Sequence, residues 1–164
     1  MSKKDTSLFE SIHQQYFPMV LQMCLGFVKG DYDKARDLSQ EVFIKVWIHL
    51  DSFKGISSYK TWIYRITVNT CLQLIRKKKK NVTLPIETIA LSFTEESKND
   101  TSEASNRLYK AIGQLNELDR LLIMMVLEGQ EYDDIADVLG IQPTNVRVKI
   151  HRIKKRLKNI LNHE

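Results

Sequence analysis

The sequence predicts an all-α fold: two small helical domains joined by a flexible linker, the second a four-helix domain with a helix-turn-helix. Three observations predict it. Apolar residues recur at helical spacing in residues 7–80 and again in residues 107–161. Between them, Asn81 to Asn106 lose that periodicity to Ser, Thr, Asn and Glu, and Pro85 interrupts what remains, so residues 81–106 read as a polar acidic linker, disordered in its second half. Six Gly and three Pro among 164 residues are too few for the many turns of a β-rich chain.

Leu8 to Val28 form the first helical stretch, with Phe9, Ile12, Tyr16 and Phe17 early in it and Pro18 placed to kink or split it. Gly30 and Asp31 mark a turn. A second helix, about Asp33 to Leu50, turns Leu38, Val42 and Val46 inward, with Trp47 and Leu50 as further candidates. On its other side Asp37, Gln40, Glu41 and Ile44 fall at i, i+3, i+4 and i+7. Such a stripe is either an ordinary solvated face or a surface for another protein's helix.

Asp51 to Lys60 form a Gly/Ser-rich loop in which Phe53 and Tyr59 alternate with Lys54 and Lys60, residue types suited to unstacked bases. Thr61 to Lys80 read as one long helix ending in five successive cations, Arg76 to Lys80. Cations near a helix C-terminus gain ~0.3–1 kcal/mol from the macrodipole. Five exceed that use, and such a run attracts phosphate in a salt-sensitive, sequence-independent way.

After the linker, Leu108 to Leu115 and Leu118 to Glu128 give two helices, with Met124 and Met125 filling core. Tyr132, Ile135, Ala136 and Leu139 then line one face of a short helix. Gly140 ends it, Ile141 plugs the corner, and Pro143 opens the next helix at the position where its missing N–H costs nothing. Val146, Ile150, Ile153 and Leu157 face inward there, while Arg147, Lys149, His151, Arg152, Lys154, Lys155, Arg156 and Lys158 face out. A basic amphipathic helix is a solvated surface or a partner-binding one as readily as a DNA reader. The Gly-Ile corner, the Pro start and the acidic helix before it (Asp133, Asp134, Asp137) favour DNA.

The hydrophobic content of 43% is ordinary for a folded soluble protein, and a net charge of +5 allows a nucleic-acid partner without requiring one. The charges are segregated: Thr144 to Glu164 hold seven Lys/Arg against one carboxylate, Asn81 to Asn106 five carboxylates against one Lys. Cys24 and Cys71 are isolated thiols in apolar helical contexts, expected to be buried and reduced. No apolar leader opens the chain and its longest apolar run, Leu121 to Leu127, is far too short to span a bilayer, so a cytoplasmic protein without stable membrane insertion is expected. His13, His49, His151 and His163 are scattered, and no phosphate loop or nucleophile elbow is present, so no catalytic residues, cofactor or enzyme activity are expected. No metal site is expected either, since Glu95 and Glu96 are adjacent and lack partners to complete a shell.

ARDLSQEVFIKVW, SSYKTWIYRITVNTCLQLIRKKKK and EYDDIADVLGIQPTNVRVKIHRIKKRLK, in this order and spacing, resemble the extracytoplasmic-function (ECF) group of bacterial RNA polymerase sigma factors. The likeness runs from Phe9 to Leu161, and the form NVRVKIHRIKKRLK is similar to sigma factors of the Bacteroidetes lineage. The resemblance implies a subunit that binds core RNA polymerase and directs promoter-specific initiation. Asp37, Gln40, Glu41 and Ile44 would dock on the clamp helices of the β′ subunit, with the β subunit flap as a further contact. Phe53, Lys54, Ser57, Ser58 and Tyr59 in the loop, and Arg65, Asn69, Gln73 and Lys77 on the helix, would melt and read the minus-10 element. Arg147, Val148, His151, Arg152 and Lys155 would read the minus-35 element as duplex. A separate anti-sigma protein is the expected regulator. The chain departs from the family pattern at Gln73, where relatives have Asp, at Asn116, where they have Pro, and at Glu131 and Gln142, where they have a Ser cap. The first puts base preference in doubt, and the others are expected mainly to weaken local caps. Two other readings fit parts of the chain: a stand-alone helix-turn-helix regulator binding duplex DNA as a dimer, and a helical adaptor for acidic proteins.

Overall fold

The structure, a computed structural model, describes residues 3–80 and 103–163. The linker reading for the stretch between, and the dismissal of Glu95 and Glu96 as metal ligands, fall outside those residues. Among the described residues there are only helices: α1 (Lys3–Phe27), α2 (Tyr32–His49), a 3-10 turn (Leu50–Ser52), α3 (Tyr59–Lys80), α4 (Glu103–Gly113), α5 (Glu117–Leu127), α6 (Tyr132–Leu139) and α7 (Pro143–Asn162).

Helix α1 runs from Lys3 to Phe27 with Pro18 inside it, so the proline does not split the helix. Pro18 and Gln14, the residue whose carbonyl loses its helical donor to the proline, are both exposed, a position where such a loss is better tolerated than in the core. The buried side presents Val20, Met23, Cys24 and Phe27 at i, i+3, i+4 and i+7. The Asp31 side chain accepts from the Lys34 N–H and starts α2. Ala35, Leu38, Val42, Phe43 and Val46 of α2 then meet Ile63, Tyr64, Val68 and Cys71 of α3. Phe43 joins Phe9, His13 and Phe17 in a ring cluster, with the His13 and Phe43 centroids 4.6 Å apart. Cys24 and Cys71 are buried and free, as expected.

In the C-terminal half, α4 starts at Glu103, inside the segment read as linker. Asn116 corrects the expectation that its departure from the family pattern weakens a cap. Its Oδ1 accepts from the Asp119 N–H at 2.9 Å and its amide donates to the Asp119 carboxylate at 3.0 Å, so it is a working cap for α5. At Glu131 and Gln142 the expectation stands, since neither side chain caps its helix. Ile135, Ala136, Val146, Ile150, Ile153 and Leu157 close the core, the last four being the inward stripe read from the sequence.

The two halves pack on each other through α1, α3 and α5, and their buried residues form one continuous core. Helix α5 approaches α1 so closely that a Cβ on Gly26 would run into the Met124 side chain. Beside it Arg120 is only 5% exposed. Its Nε donates to the Phe27 carbonyl at 2.9 Å, its Nη1 to the Leu115 carbonyl at 2.7 Å, and its guanidinium lies 5.9 Å from the centre of the Phe27 ring. Lys78 pairs with Glu117, and Gln22 donates to the Tyr109 hydroxyl, across the same junction.

Candidate polymerase and nucleic-acid interfaces

The inward stripe of α2 forces its complement outward. Asp37, Gln40, Glu41 and Ile44 are all exposed, Ile44 at 58%. Ile48, one turn further and missed in the sequence reading, is 64% exposed and extends the stripe. Two bare isoleucines a turn apart, flanked by carboxylates and an amide, form an apolar anchor with a polar rim, the composition of a surface that buries itself against a partner.

The loop after the 3-10 turn is held by its aromatics. Phe53 stacks on Tyr59 with centroids 4.6 Å apart, and lies 4.8 Å from Trp62 in the first turn of α3. These rings are therefore already in contact with one another, rather than waiting as separate platforms. Ser58 caps α3, its Oγ accepting from the Thr61 N–H at 3.2 Å. Lys54 is exposed, Ser57 half-buried, and Gly55 takes a left-handed turn (φ 70°) that a Cβ would strain. The next residue, Ile56, stands 90% exposed at the loop tip. Its exposure follows from the turn, which periodicity does not encode.

Along α3, Arg65, Asn69, Gln73 and Lys77 are exposed at four-residue spacing and make one outward line. Gln73 is not free. Lys45 of α2 reaches across and donates to Gln73 Oε1 at 2.8 Å, while also contacting Thr70 Oγ1 at 3.2 Å and Glu41 Oε1 at 3.5 Å. Of the five terminal cations, Lys78 is engaged with Glu117.

In the last two helices, Gly140 is left-handed (φ 68°, ψ 32°) and the Ile141 N–H bonds to the Ala136 carbonyl at 3.1 Å, forming the sharp corner expected. Pro143 opens α7. With its four apolar residues buried, α7 presents Arg147, Val148, His151, Arg152 and Lys155 together to solvent.

Two pKa shifts mark the junction of the halves. Burial, then the nearby Glu128 charge, pushes the Tyr64 hydroxyl up, and its oxygen is buried without a partner among the described residues. Burial raises Glu128, against the opposing effect of Lys60. Among the described residues no three metal-ligating side chains come together.

The chain matches two family models, Sigma-70 region 2 over residues 12–81 and Sigma-70 region 4 over residues 105–157. The ECF RNA polymerase sigma-E factor of Escherichia coli K12 is 30% identical, over 97% of this chain and 89% of its own length. The chain belongs to the ECF family of RNA polymerase sigma factors. Among other relatives of this sigma factor is SigW of Bacillus subtilis, 27% identical over 98% of this chain and 92% of its own. Its fold is that of RpoE in complex with the anti-sigma factor NepR from Bartonella quintana (TM-score 0.73, 24% identity, 94% of this chain and 96% of that one). CnrH in complex with the cytosolic domain of CnrY is similar too (TM-score 0.63, 19% identity, 97% and 90% covered). The region 2 match ends with α3 and the region 4 match spans α4 to α7, so this transcription initiation factor carries its α2 and α3 surfaces in one region and its helix-turn-helix in the other.

Proposed function

We propose that this sigma factor binds core RNA polymerase through α2 and directs it to promoters by reading a minus-10 element with the 53–59 loop and α3, and a minus-35 element with α7. One observation carries the proposal: α1 and α5 are used to pack the halves together, while the outward residues of α2, α3 and α7 all remain exposed. In this scheme Asp37, Gln40, Glu41, Ile44 and Ile48 meet the β′ clamp helices. Phe53, Lys54, Ser57 and Tyr59 shape the loop, with Ser58 holding the start of α3. Arg65, Asn69, Gln73 and Lys77 contact the opened strand, and Arg147, Val148, His151, Arg152 and Lys155 contact duplex DNA.

The functional division runs 7–80 for polymerase docking and minus-10 melting, 81–106 as connector and 107–161 for the minus-35 element. By their positions the two elements lie about 25 base pairs apart, roughly 85 Å at ~3.4 Å per pair. A globular chain of this length has a radius of gyration of only about 15 Å. The packed form is therefore too small to read both elements, and polymerase, through β′ and the β flap, holds the regions apart. Two weak DNA contacts joined on one scaffold then gain from effective concentration. The likeness to RpoE in complex with the anti-sigma factor NepR supports a separate anti-sigma factor for this chain, and the α7 sequence Asn145 to Lys158 supports a Bacteroidetes type. The site of action would be the cytoplasm, and no described helix is long and apolar enough to cross a membrane.

The test is initiation from a randomised promoter library by purified core polymerase with and without this chain. Enrichment of a bipartite promoter is expected. Initiation no higher than with core alone, across the library, refutes the proposal.

A further inference from the structure

We propose that Lys45 is a positioning residue for promoter readout. By holding the carbonyl oxygen of Gln73, it turns that side chain's amide N–H groups toward DNA and makes the position favour keto bases (guanine, thymine) over amino bases (adenine, cytosine). The inference rests on α3 being the minus-10 reader.

An ammonium group has three protons and no acceptor, so whatever it touches must present an oxygen. Lys45 Nζ has three acceptors within reach: Gln73 Oε1 at 2.8 Å, Thr70 Oγ1 at 3.2 Å and Glu41 Oε1 at 3.5 Å. The Thr70 hydroxyl spends its own proton on the Ile66 carbonyl at 2.7 Å, which leaves its lone pairs for Lys45. The direction of every bond in this chain is thus set by chemistry, including which end of the Gln73 amide faces inward. The reverse orientation would put an NH₂ group against the ammonium.

A free glutamine can present either its oxygen or its nitrogen, and pairs bidentately with adenine by using both. Gln73 has its oxygen committed and polarised by a charge at 2.8 Å, so its outward NH₂ is a strengthened donor. That donor suits guanine O6 and thymine O4, and meets a like donor at adenine N6 and cytosine N4. Glu41, at the other end of the network, belongs to the stripe proposed to dock on polymerase, so the orientation of a base-reading side chain is tied to the docking helix. An exposed Glu–Lys pair at i, i+4 within α2 contributes little by itself. The consequence here comes from the reach across 28 residues to α3.

The test combines the free chain with the reconstituted holoenzyme. In ¹⁵N spectra of the free chain, Lys45→Met should shift the Gln73 side-chain amide resonances, and Lys45→Arg, which keeps a donor, should shift them less. With the holoenzyme, the minus-10 position whose preference disappears in Gln73→Ala is located from the promoter library. Wild type should favour G or T there by about fivefold, the scale of one hydrogen bond. Lys45→Met should reduce the ratio below about twofold, and Lys45→Arg should retain most of it. Because the ratio is taken within one holoenzyme, a change in polymerase affinity through Glu41 cancels. An unshifted Gln73 amide in Lys45→Met, an unchanged base ratio, a wild-type preference for A or C, or no position sensitive to Gln73→Ala would each overturn the inference. If the amide shifts but no promoter is used at all, the minus-10 assignment of α3 has failed and the base preference falls with it.

Discussion

Replacing Arg120 with methionine keeps most of the side-chain stem while deleting the guanidinium that joins α1 to α5. Two charge-assisted hydrogen bonds disappear, to Phe27 O and Leu115 O, together with the approach to the Phe27 ring. Bonds to a charged group contribute ~1.5–3 kcal/mol each, and a cation over a partly desolvated ring ~0.5–2 kcal/mol. Phe27 is the last residue of α1, where the negative end of the helix dipole adds to the attraction. Against this, burial lowers the Arg120 pKa, the sign of a desolvation cost that methionine removes. The net expectation is a loss of about 3 kcal/mol, or roughly 6–12 °C in Tm for a chain of this size. Thermal melting followed by circular dichroism measures it, and small-angle scattering reports whether the halves separate. Arg120→Lys should fall between, because a single ammonium cannot reproduce the guanidinium fork. A Tm within about 2 °C of wild type, with unchanged scattering, would refute the account of Arg120 as the tie between the halves.

Gly26→Ala should lower Tm by a few degrees as its Cβ displaces Met124. In a Met124→Ala background the same change should be neutral or stabilising, since the helix-propensity gain of up to ~1 kcal/mol is then unopposed. Glu128→Gln should raise Tm at pH 7. Burial lifts the Glu128 pKa above its ordinary value of 4.5, so the folded state binds protons more readily, stability falls as pH rises through that shifted range, and the advantage of glutamine should vanish below about pH 4.5. Ile48→Asp should leave melting unchanged but weaken core polymerase binding at least about tenfold, the scale of losing one buried isoleucine at an interface, as read by fluorescence titration. Arg152→Ala should cost ~1–3 kcal/mol at the minus-35 element and relax selection at one base pair, while Gln40→Ala with Glu41→Ala weakens polymerase binding without altering promoter choice. If both variants change promoter selection alike, the proposed division of labour is wrong.

Much of the fold is local and therefore legible in the sequence. A period of 3.6 residues separates Val146, Ile150, Ile153 and Leu157 from the basic face of α7 before any partner helix is known, and the same logic exposes Asp37, Gln40, Glu41 and Ile44. Gly140 and Pro143 mark the helix-turn-helix corner because backbone geometry there depends on one or two residues. Even so, the family pattern does not convey that the Asn116 side chain itself makes a good cap, nor does the presence of Pro18 alone say that α1 continues through it.

What only the tertiary structure decided lies between residues far apart in the chain. Arg120 meets Phe27 across 93 positions, Gly26 makes room for Met124, and Lys45 turns Gln73 from 28 positions away. In the sequence Arg120 is one more cation near a helix start and Lys45 one more member of an i, i+4 pair. Periodicity specifies which side of a helix is buried, not which helix covers it. That choice follows from the shape and hydrogen-bonding needs of two surfaces brought together, so the outward faces of this sigma factor could be read from sequence while the packing of its halves, and the hold of Lys45 on Gln73, could not.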